Sequence, residues 1–169
     1  MEAKKPSRAR LLWLIPLILG TIYILRRENA AVSYQHTKGL IFGTVYNMTY
    51  QYPEDLKIEI EEELKRFDAS LSPFNDSSVI SKVNRNEDII TDTLFQNVFN
   101  RSMEISAETN GAFDITIATL ANVWGFGFKK GEWPDEHMID SLKELTNYQK
   151  VSLKEGKVIK EDPRIMISC

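Results

Sequence analysis

The stretch Asn110-Gly111-Ala112-Phe113-Asp114-Ile115-Thr116 and its neighbour Asn122-Val123-Trp124-Gly125-Phe126-Gly127 hold the chemistry of this chain. Within 18 residues they gather one carboxylate, several hydroxyl and amide groups, two Phe, one Trp and three Gly. That composition suits a loop that holds a flat aromatic ligand against backbone. Glycine removes the side chain that would keep backbone and ligand apart, and aromatic rings offer faces for stacking. Asp114 has two readings: its oxygens can accept hydrogen bonds from ribose hydroxyls or an adenine amino group, or they can cap the helix expected to follow. Phe113, Trp124, Phe126 and Phe128 likewise fit either a stacking wall or a core. No glycine-rich phosphate loop of the GxGxxG or GxxxxGK[ST] type is present, and no Gly-x-Ser-x-Gly elbow.

Other chemistry-bearing residues are scattered. His36 and His137 lie 101 positions apart with no acid or cysteine at ligand spacing, and both read as surface residues. The acids Glu59, Glu61, Glu62 and Glu63 read as the solvated face of a helix, so no metal ligand is assigned within the chain. Cys169 is the one cysteine. It permits no internal disulfide, multi-cysteine zinc site or thiol redox pair, and reads as a small buried apolar residue ending a strand, with a free-thiol nucleophile as the alternative. Asn47-Met48-Thr49 and Asn75-Asp76-Ser77 match the glycan acceptor pattern, a frequent chance match.

Charge is unevenly spread. Residues 1–27 carry six bases and one acid, which leaves 15 bases, 23 acids and a net charge of −8 in residues 28–169. An acidic body excludes nucleic acid as the expected partner, because phosphate neutralisation requires clustered Lys and Arg. Leu11 to Leu25 is fifteen residues without a charge, preceded by Lys4, Lys5, Arg8 and Arg10 and followed by Arg26 and Arg27. The expectation is a basic tail over 1–10 and an uncleaved membrane anchor over 11–27. The core is short of the roughly 20 residues a span needs, but flanking arginines can snorkel. A cleaved signal peptide and a buried soluble helix are the alternatives. Four bases before the segment against two after it place the N-terminus in the cytoplasm and the body outside.

The elements that must position the loop follow from periodicity. Residues 28–37 read as a tether. Leu40 to Tyr50 alternates as one strand, interrupted at Gly43 as by a bulge or a close approach of backbone. Pro53-Glu54-Asp55 opens a helix whose apolar face is Leu56, Ile60, Leu64, Phe67 and Leu71. A turn-rich loop, Leu71 to Ser78, leads into one more helical turn over Val79 to Val83. Thr91 or Asp92 caps the next helix, with Leu94, Phe95, Val98, Phe99, Ile105 and Ala107 on its buried side, and Asn110-Gly111 stops it with a left-handed cap. A third amphipathic helix runs from Pro134-Asp135-Glu136 to about Thr146. Tyr148–Leu153 and Lys157–Lys160 form a hairpin around Lys154-Glu155-Gly156, and Ile165–Cys169 is a last strand. Without a regular βαβ rhythm, this mixture indicates an α+β fold: a mixed sheet with packed amphipathic helices, preceded by the membrane helix.

Four stretches together resemble the ApbE family, the FAD:protein FMN transferases. These are Ile41-Phe42-Gly43-Thr44; Leu71-Ser72-Pro73-Phe74 with Ser78, Ile80 and Asn84 following in an S-x-I-x-x-x-N pattern; Gly111 to Thr116; and Trp124 to Gly127. The likeness runs from about residue 38 to the end. Carried over by position, it implies FAD contacts from Phe42, Phe74, Ala112, Phe113 and Asp114. It also implies transfer of FMN from FAD, with Mg²⁺, through a phosphodiester onto a Ser or Thr of an exported flavoprotein. Family members continue beyond the Ile165–Cys169 strand into a metal-binding half, and Ser168 stands where many have Asp. The resemblance therefore implies that residues 38–169 are the N-terminal part of such a domain, truncated, inactive alone and with Mg²⁺ ligands elsewhere. Two further readings stay open: a non-catalytic flavin-binding or interaction module, and an Mg²⁺-dependent FAD pyrophosphatase of the same family.

Overall fold

In the computed structural model, which describes residues 14–28, 33–125 and 134–168, helices and strands alternate irregularly. The order is α1 (Leu14–Glu28), β1 (Tyr34–Ile41), β2 (Thr44–Gln51), α2 (Lys57–Leu71), α3 (Val79–Asn84) and α4 (Thr93–Glu108). A 3-10 turn (Ile115–Ile117) leads into α5 (Ala118–Val123), followed by α6 (Glu136–Lys143), a second 3-10 turn (Tyr148–Lys150), β3 (Val151–Lys154) and β4 (Lys157–Lys160). The chain divides into two units, one of residues 1–37 with 47–55, the other of residues 38–46 with 56–169.

The first unit contains α1 and the base of the β1–β2 hairpin. There His36 Nδ1 meets Thr49 Oγ1 at 2.9 Å, and the Tyr50 hydroxyl donates to Asp55 Oδ1 at 2.9 Å. The apolar run does form a helix, with Leu17 and Tyr23 exposed. At 1.5 Å per residue its 15 residues span about 22 Å, against a hydrocarbon core of about 30 Å. Among the described residues no helix is long and apolar enough to cross a membrane. The spanning helix expected over 11–27 is therefore not found there; residues 1–13 lie outside the described residues. β1 begins at Tyr34, inside the stretch read as a tether.

The single strand expected over Leu40–Tyr50 is instead the two arms of a hairpin. Phe42 and Gly43 both take positive φ, 53° and 71°, which is the two-residue turn whose twist matches paired strands. Gly43 was legible as an interruption, but Phe at the first turn position conceals the hairpin, because Asn or Gly usually occupies it. The ring of Tyr46 lies across Gly39, where an added Cβ would come within 2.6 Å of it.

In the second unit the core is Ile80, Val83, Phe95, Phe99, Ile115, Leu145, Val151, Ile165 and Ile167. Leu56, Ile60, Leu64, Phe67 and Leu71 all lie half-buried, as their spacing requires. The helix itself starts later than expected, at Lys57, leaving Pro53-Glu54-Asp55 outside it. Asp92 caps α4 by accepting from the Phe95 N–H at 2.8 Å, and also takes the Ser70 hydroxyl at 2.9 Å. The buried stripe of α4 is Phe95, Phe99, Ser102 and Ser106, whereas Ala107 is exposed. The serines continue the i, i+4, i+7 stripe of the phenylalanines, and Ser106 returns its hydroxyl to the Ser102 carbonyl at 2.9 Å. Asn110 and Gly111 take φ of 51° and 81°, the left-handed stop expected there.

Asp135 caps α6 by accepting from the Met138 N–H at 2.7 Å. β3 and β4 pair antiparallel, Val151 opposite Lys160 and Lys154 opposite Lys157, around a Glu155-Gly156 turn. Tyr148–Lys150 is a 3-10 turn and not strand, because the Asn147 side chain accepts from the Gln149 N–H at 2.9 Å. The described strands form two separate two-stranded sheets instead of one mixed sheet. Ile165–Ser168 joins neither; Cys169 lies outside the described residues.

Candidate functional site

A cleft of about 310 Å³ opens between the loop after α2, the C-terminal end of α3, α5 and the segment Met166–Ser168. Its aromatic wall is Phe74, 59% exposed. The loop that carries Phe74 is fixed by its own polar side chains. Asn75 donates to Asp68 Oδ2 at 2.7 Å and accepts from the backbone and hydroxyl of Ser77 at 3.0 and 2.7 Å. Ser78 donates its hydroxyl to the Ser72 carbonyl at 2.7 Å and accepts from the Ser81 N–H at 3.2 Å, which caps α3. These bonds explain why Leu-Ser-Pro-Phe-Asn-Asp-Ser-Ser folds as a rigid bracket. The Phe42-Gly43 turn packs against the same ring: a Cβ built at Gly43 would sit 3.6 Å from Phe74 Cγ.

The opposite wall, Met166–Ser168, is extended and has no neighbouring strand among the described residues. Side chains take the place of a ladder. Asn84 accepts from the Ile167 N–H and donates to the Ile167 carbonyl, both at 2.9 Å. Thr119 Oγ1 accepts from the Met166 N–H at 2.9 Å, the Ser168 N–H donates to the Ile115 carbonyl at 2.8 Å, and Asn122 donates to Met166 Sδ at 3.4 Å. Ile165 and Ile167 are buried in the core, and Met166, Ile167 and Ser168 line the cleft. Arg85, also at the cleft, pairs with Glu87 at 2.8 Å. Upstream, the Arg164 guanidinium and N–H both bond the Asp162 carboxylate and hold its pKa down at about 2.

Asp114 makes capping bonds. Oδ1 accepts from the Thr116 N–H at 2.8 Å and the Thr116 hydroxyl at 2.6 Å, while Oδ2 accepts from the Tyr148 N–H at 2.8 Å. The carboxylate thus starts the 3-10 turn that leads into α5 and ties it to the residues before β3. It positions Ala118, Ala121 and Asn122, which line the cleft, from behind. Ala112 and Phe113 are exposed beside it, Phe113 by 41%.

The five residues marked as FAD contacts therefore fall into two groups. Phe42 lies in the turn packed on Phe74, and Phe74 lines the cleft. Ala112, Phe113 and Asp114 form a neighbouring corner against Tyr148 and do not line it. Trp124, 44% exposed, ends α5, and Gly125 follows at φ 81°. Phe126, Gly127 and Phe128 lie outside the described residues. Sequence reasoning gave no role to Met166, Arg85 or the Asn84 amide. The signal for Asn84 was its place in the S-x-I-x-x-x-N pattern, at the end of a short helix.

The chain is 24% identical over 166 residues to the FAD:protein FMN transferase of Vibrio cholerae, covering 92% of this chain and 49% of that protein. It is 32% identical over 145 residues to that of Buchnera aphidicola, covering 81% and 42%. Among solved structures, the flavin transferase ApbE from Vibrio cholerae superposes with a TM-score of 0.72 at 24% identity, over 80% of this chain and 48% of that one. The apo flavinyl transferase ApbE of Pseudomonas stutzeri gives 0.68 at 24% identity, over 80% and 49%. The chain spans about half the length of the relatives it matches. With the ApbE family profile matching residues 42–169, three-quarters of its length, this chain belongs to the ApbE family.

Proposed function

We propose that this chain supplies part of the FAD-binding side of an FAD:protein FMN transferase. The observation that carries the reading is the cleft between Phe74 and the Met166–Ser168 wall, with the Phe42-Gly43 turn packed on its aromatic side. A ring of FAD stacks on Phe74, and the exposed Ala112-Phe113 corner offers a second aromatic face. The reaction is a substitution at phosphorus. A Ser or Thr hydroxyl of an exported flavoprotein attacks the FMN phosphorus, the bond to the bridging pyrophosphate oxygen breaks, AMP leaves, and the hydroxyl proton passes to a base. The residues of this chain contribute binding and orientation. Mg²⁺ belongs to the reading as the ion that neutralises the pyrophosphate. Among the described residues no three His, Cys, Asp or Glu side chains gather as a metal site.

The N-terminal apolar run, with four bases before it and two after, fits a chain held at the cytoplasmic membrane with its body outside. Membrane fractionation of the full chain tests that part; recovery wholly in the soluble fraction refutes it.

Flavin fluorescence tests the binding reading. FAD added to the full chain is expected to bind with altered emission, and Phe74→Ala to weaken it. Supplying an acceptor flavoprotein and Mg²⁺ then separates the activities: covalent in-gel flavin fluorescence marks transfer, free FMN and AMP mark pyrophosphatase action, and retained FAD without turnover marks a binding module. No affinity for FAD refutes the proposal.

A further inference from the structure

The Phe74 cleft carries a cation that its aromatic and apolar lining does not explain. Among the described residues that border it, the charged side chains are Asp76, on the loop that holds Phe74, and Arg85, at the C-terminal end of α3. These two do not pair with each other. The described acid within ion-pair distance of Arg85 is Glu87.

The Arg85–Glu87 contact uses one edge of the guanidinium plane. Nε donates to Glu87 Oε1 at 2.8 Å, and Nη2 stands 2.8 Å from that same oxygen. A guanidinium has five N–H groups in a rigid plane. Its outer fork, one N–H each from Nη1 and Nη2, has no acceptor among the described residues. That fork has the spacing to take two oxygens of one phosphate. Glu87 itself does not line the cleft, so the acid steadies the plane from outside while the cation borders the ligand space. Both side chains are about half-exposed, and such a pair is weak enough for a second anion to share the guanidinium.

We propose that Arg85 is the phosphate-recognising residue of this cleft: its free fork takes oxygens of the FAD pyrophosphate and so selects phosphorylated flavins over riboflavin. The inference rests on the reading of the cleft as an FAD site. It assigns the two charges different surroundings. The ring stacks on Phe74, and the anionic middle of FAD is drawn to the α3 side, away from Asp76. Glu87 is a positioning residue, because it sets the plane in which the fork lies without touching the ligand.

Fluorescence titration of the full chain with FAD, FMN and riboflavin, at low and high salt, tests this. Arg85→Gln is expected to weaken FAD and FMN about tenfold, the loss of a charge-assisted contact. Riboflavin has no phosphate and should bind parent and variant alike. The salt dependence of FAD binding should flatten in the variant, since screening then has one charge fewer to act on. Arg85→Lys keeps the charge without the fork and should recover only part of the affinity. Glu87→Gln offers Nε the same kind of oxygen without the competing negative charge, and should tighten FAD. Melting temperatures within about 2 °C of the parent show that the fold is intact, as expected for an exposed pair. A parent with no affinity for FAD sinks the flavin reading and this inference together. A parent that binds FAD sinks this inference alone if Arg85→Gln binds FAD unchanged, weakens all three flavins equally or keeps the parent's salt dependence, or if Glu87→Gln binds FAD more weakly.

Discussion

Replacing Asn84 by alanine removes both hydrogen bonds to Ile167 at once. Ile167 is 1% exposed, so water does not reach its amide or carbonyl easily, and two backbone groups lose their partners in the core. At about 1–3 kcal/mol for each buried group left unpaired, the loss is about 2–6 kcal/mol. For a chain of this length that corresponds to a fall in melting temperature of roughly 10 °C. Asn84→Asp sharpens the test. The carboxylate still accepts from the Ile167 N–H, but it turns a second acceptor toward the Ile167 carbonyl. It should be as damaging as alanine at pH 7 and should regain stability once protonation restores a donor near pH 4. Circular dichroism during urea and thermal unfolding gives the energies, and hydrogen exchange locates the effect at the Ile167 and Ser168 amides. An alanine variant within 0.5 kcal/mol of the parent, or an aspartate variant equally stable at pH 7, refutes the account of this wall.

Phe74→Ala should weaken FAD binding about tenfold by fluorescence titration while leaving the melting temperature within about 2 °C, because the ring is mostly exposed. Asp114→Ala should cost about 2–3 kcal/mol in urea unfolding, since it strips the cap from the 3-10 turn and the tie to Tyr148 together. Lys160 sets an alkaline slope. Its folded pKa lies below the unfolded value, so the cost of its buried charge is fully present below pH 8. Stability should rise between pH 8 and 10.5, by about 1 kcal/mol after allowing for its half-exposure, and Lys160→Met should abolish that rise. Asp162 acts in the opposite sense. Its folded pKa is depressed, so its contribution is present above about pH 4 and is lost as pH falls toward 2; Asp162→Asn should flatten that part of an acid titration followed by circular dichroism.

Much of the scaffold was legible because it rests on local rules. The α2 face followed from 3.6-residue spacing, the α4 and α6 starts from their aspartate caps, and the β3–β4 hairpin from Glu-Gly between alternating runs. What stayed hidden was tertiary. Ser102 and Ser106 fill a core stripe that polarity alone assigns to the surface. Phe42 adopts a left-handed turn that its side chain disfavours, so two strands read as one. Ile165–Ser168 has a strand's composition, yet among the described residues helix side chains and not a sheet hold it. Asp114 was balanced between ligand and cap; the structure adds what the sequence could not show, a tie from the cap to the Tyr148 N–H, 34 residues along the chain. The residues of the aromatic wall were named from resemblance, while the polar residues that fasten the opposite wall needed coordinates.

That fastening has an evolutionary corollary. A β-ladder spreads its grip over many peptide groups and tolerates almost any single replacement. Among the described residues much of the grip on Met166 and Ile167 is delegated to Asn84 and Thr119, so two codons bear on where one side of the cleft stands. A lineage could reshape that cleft by altering either of them, without redesigning a sheet.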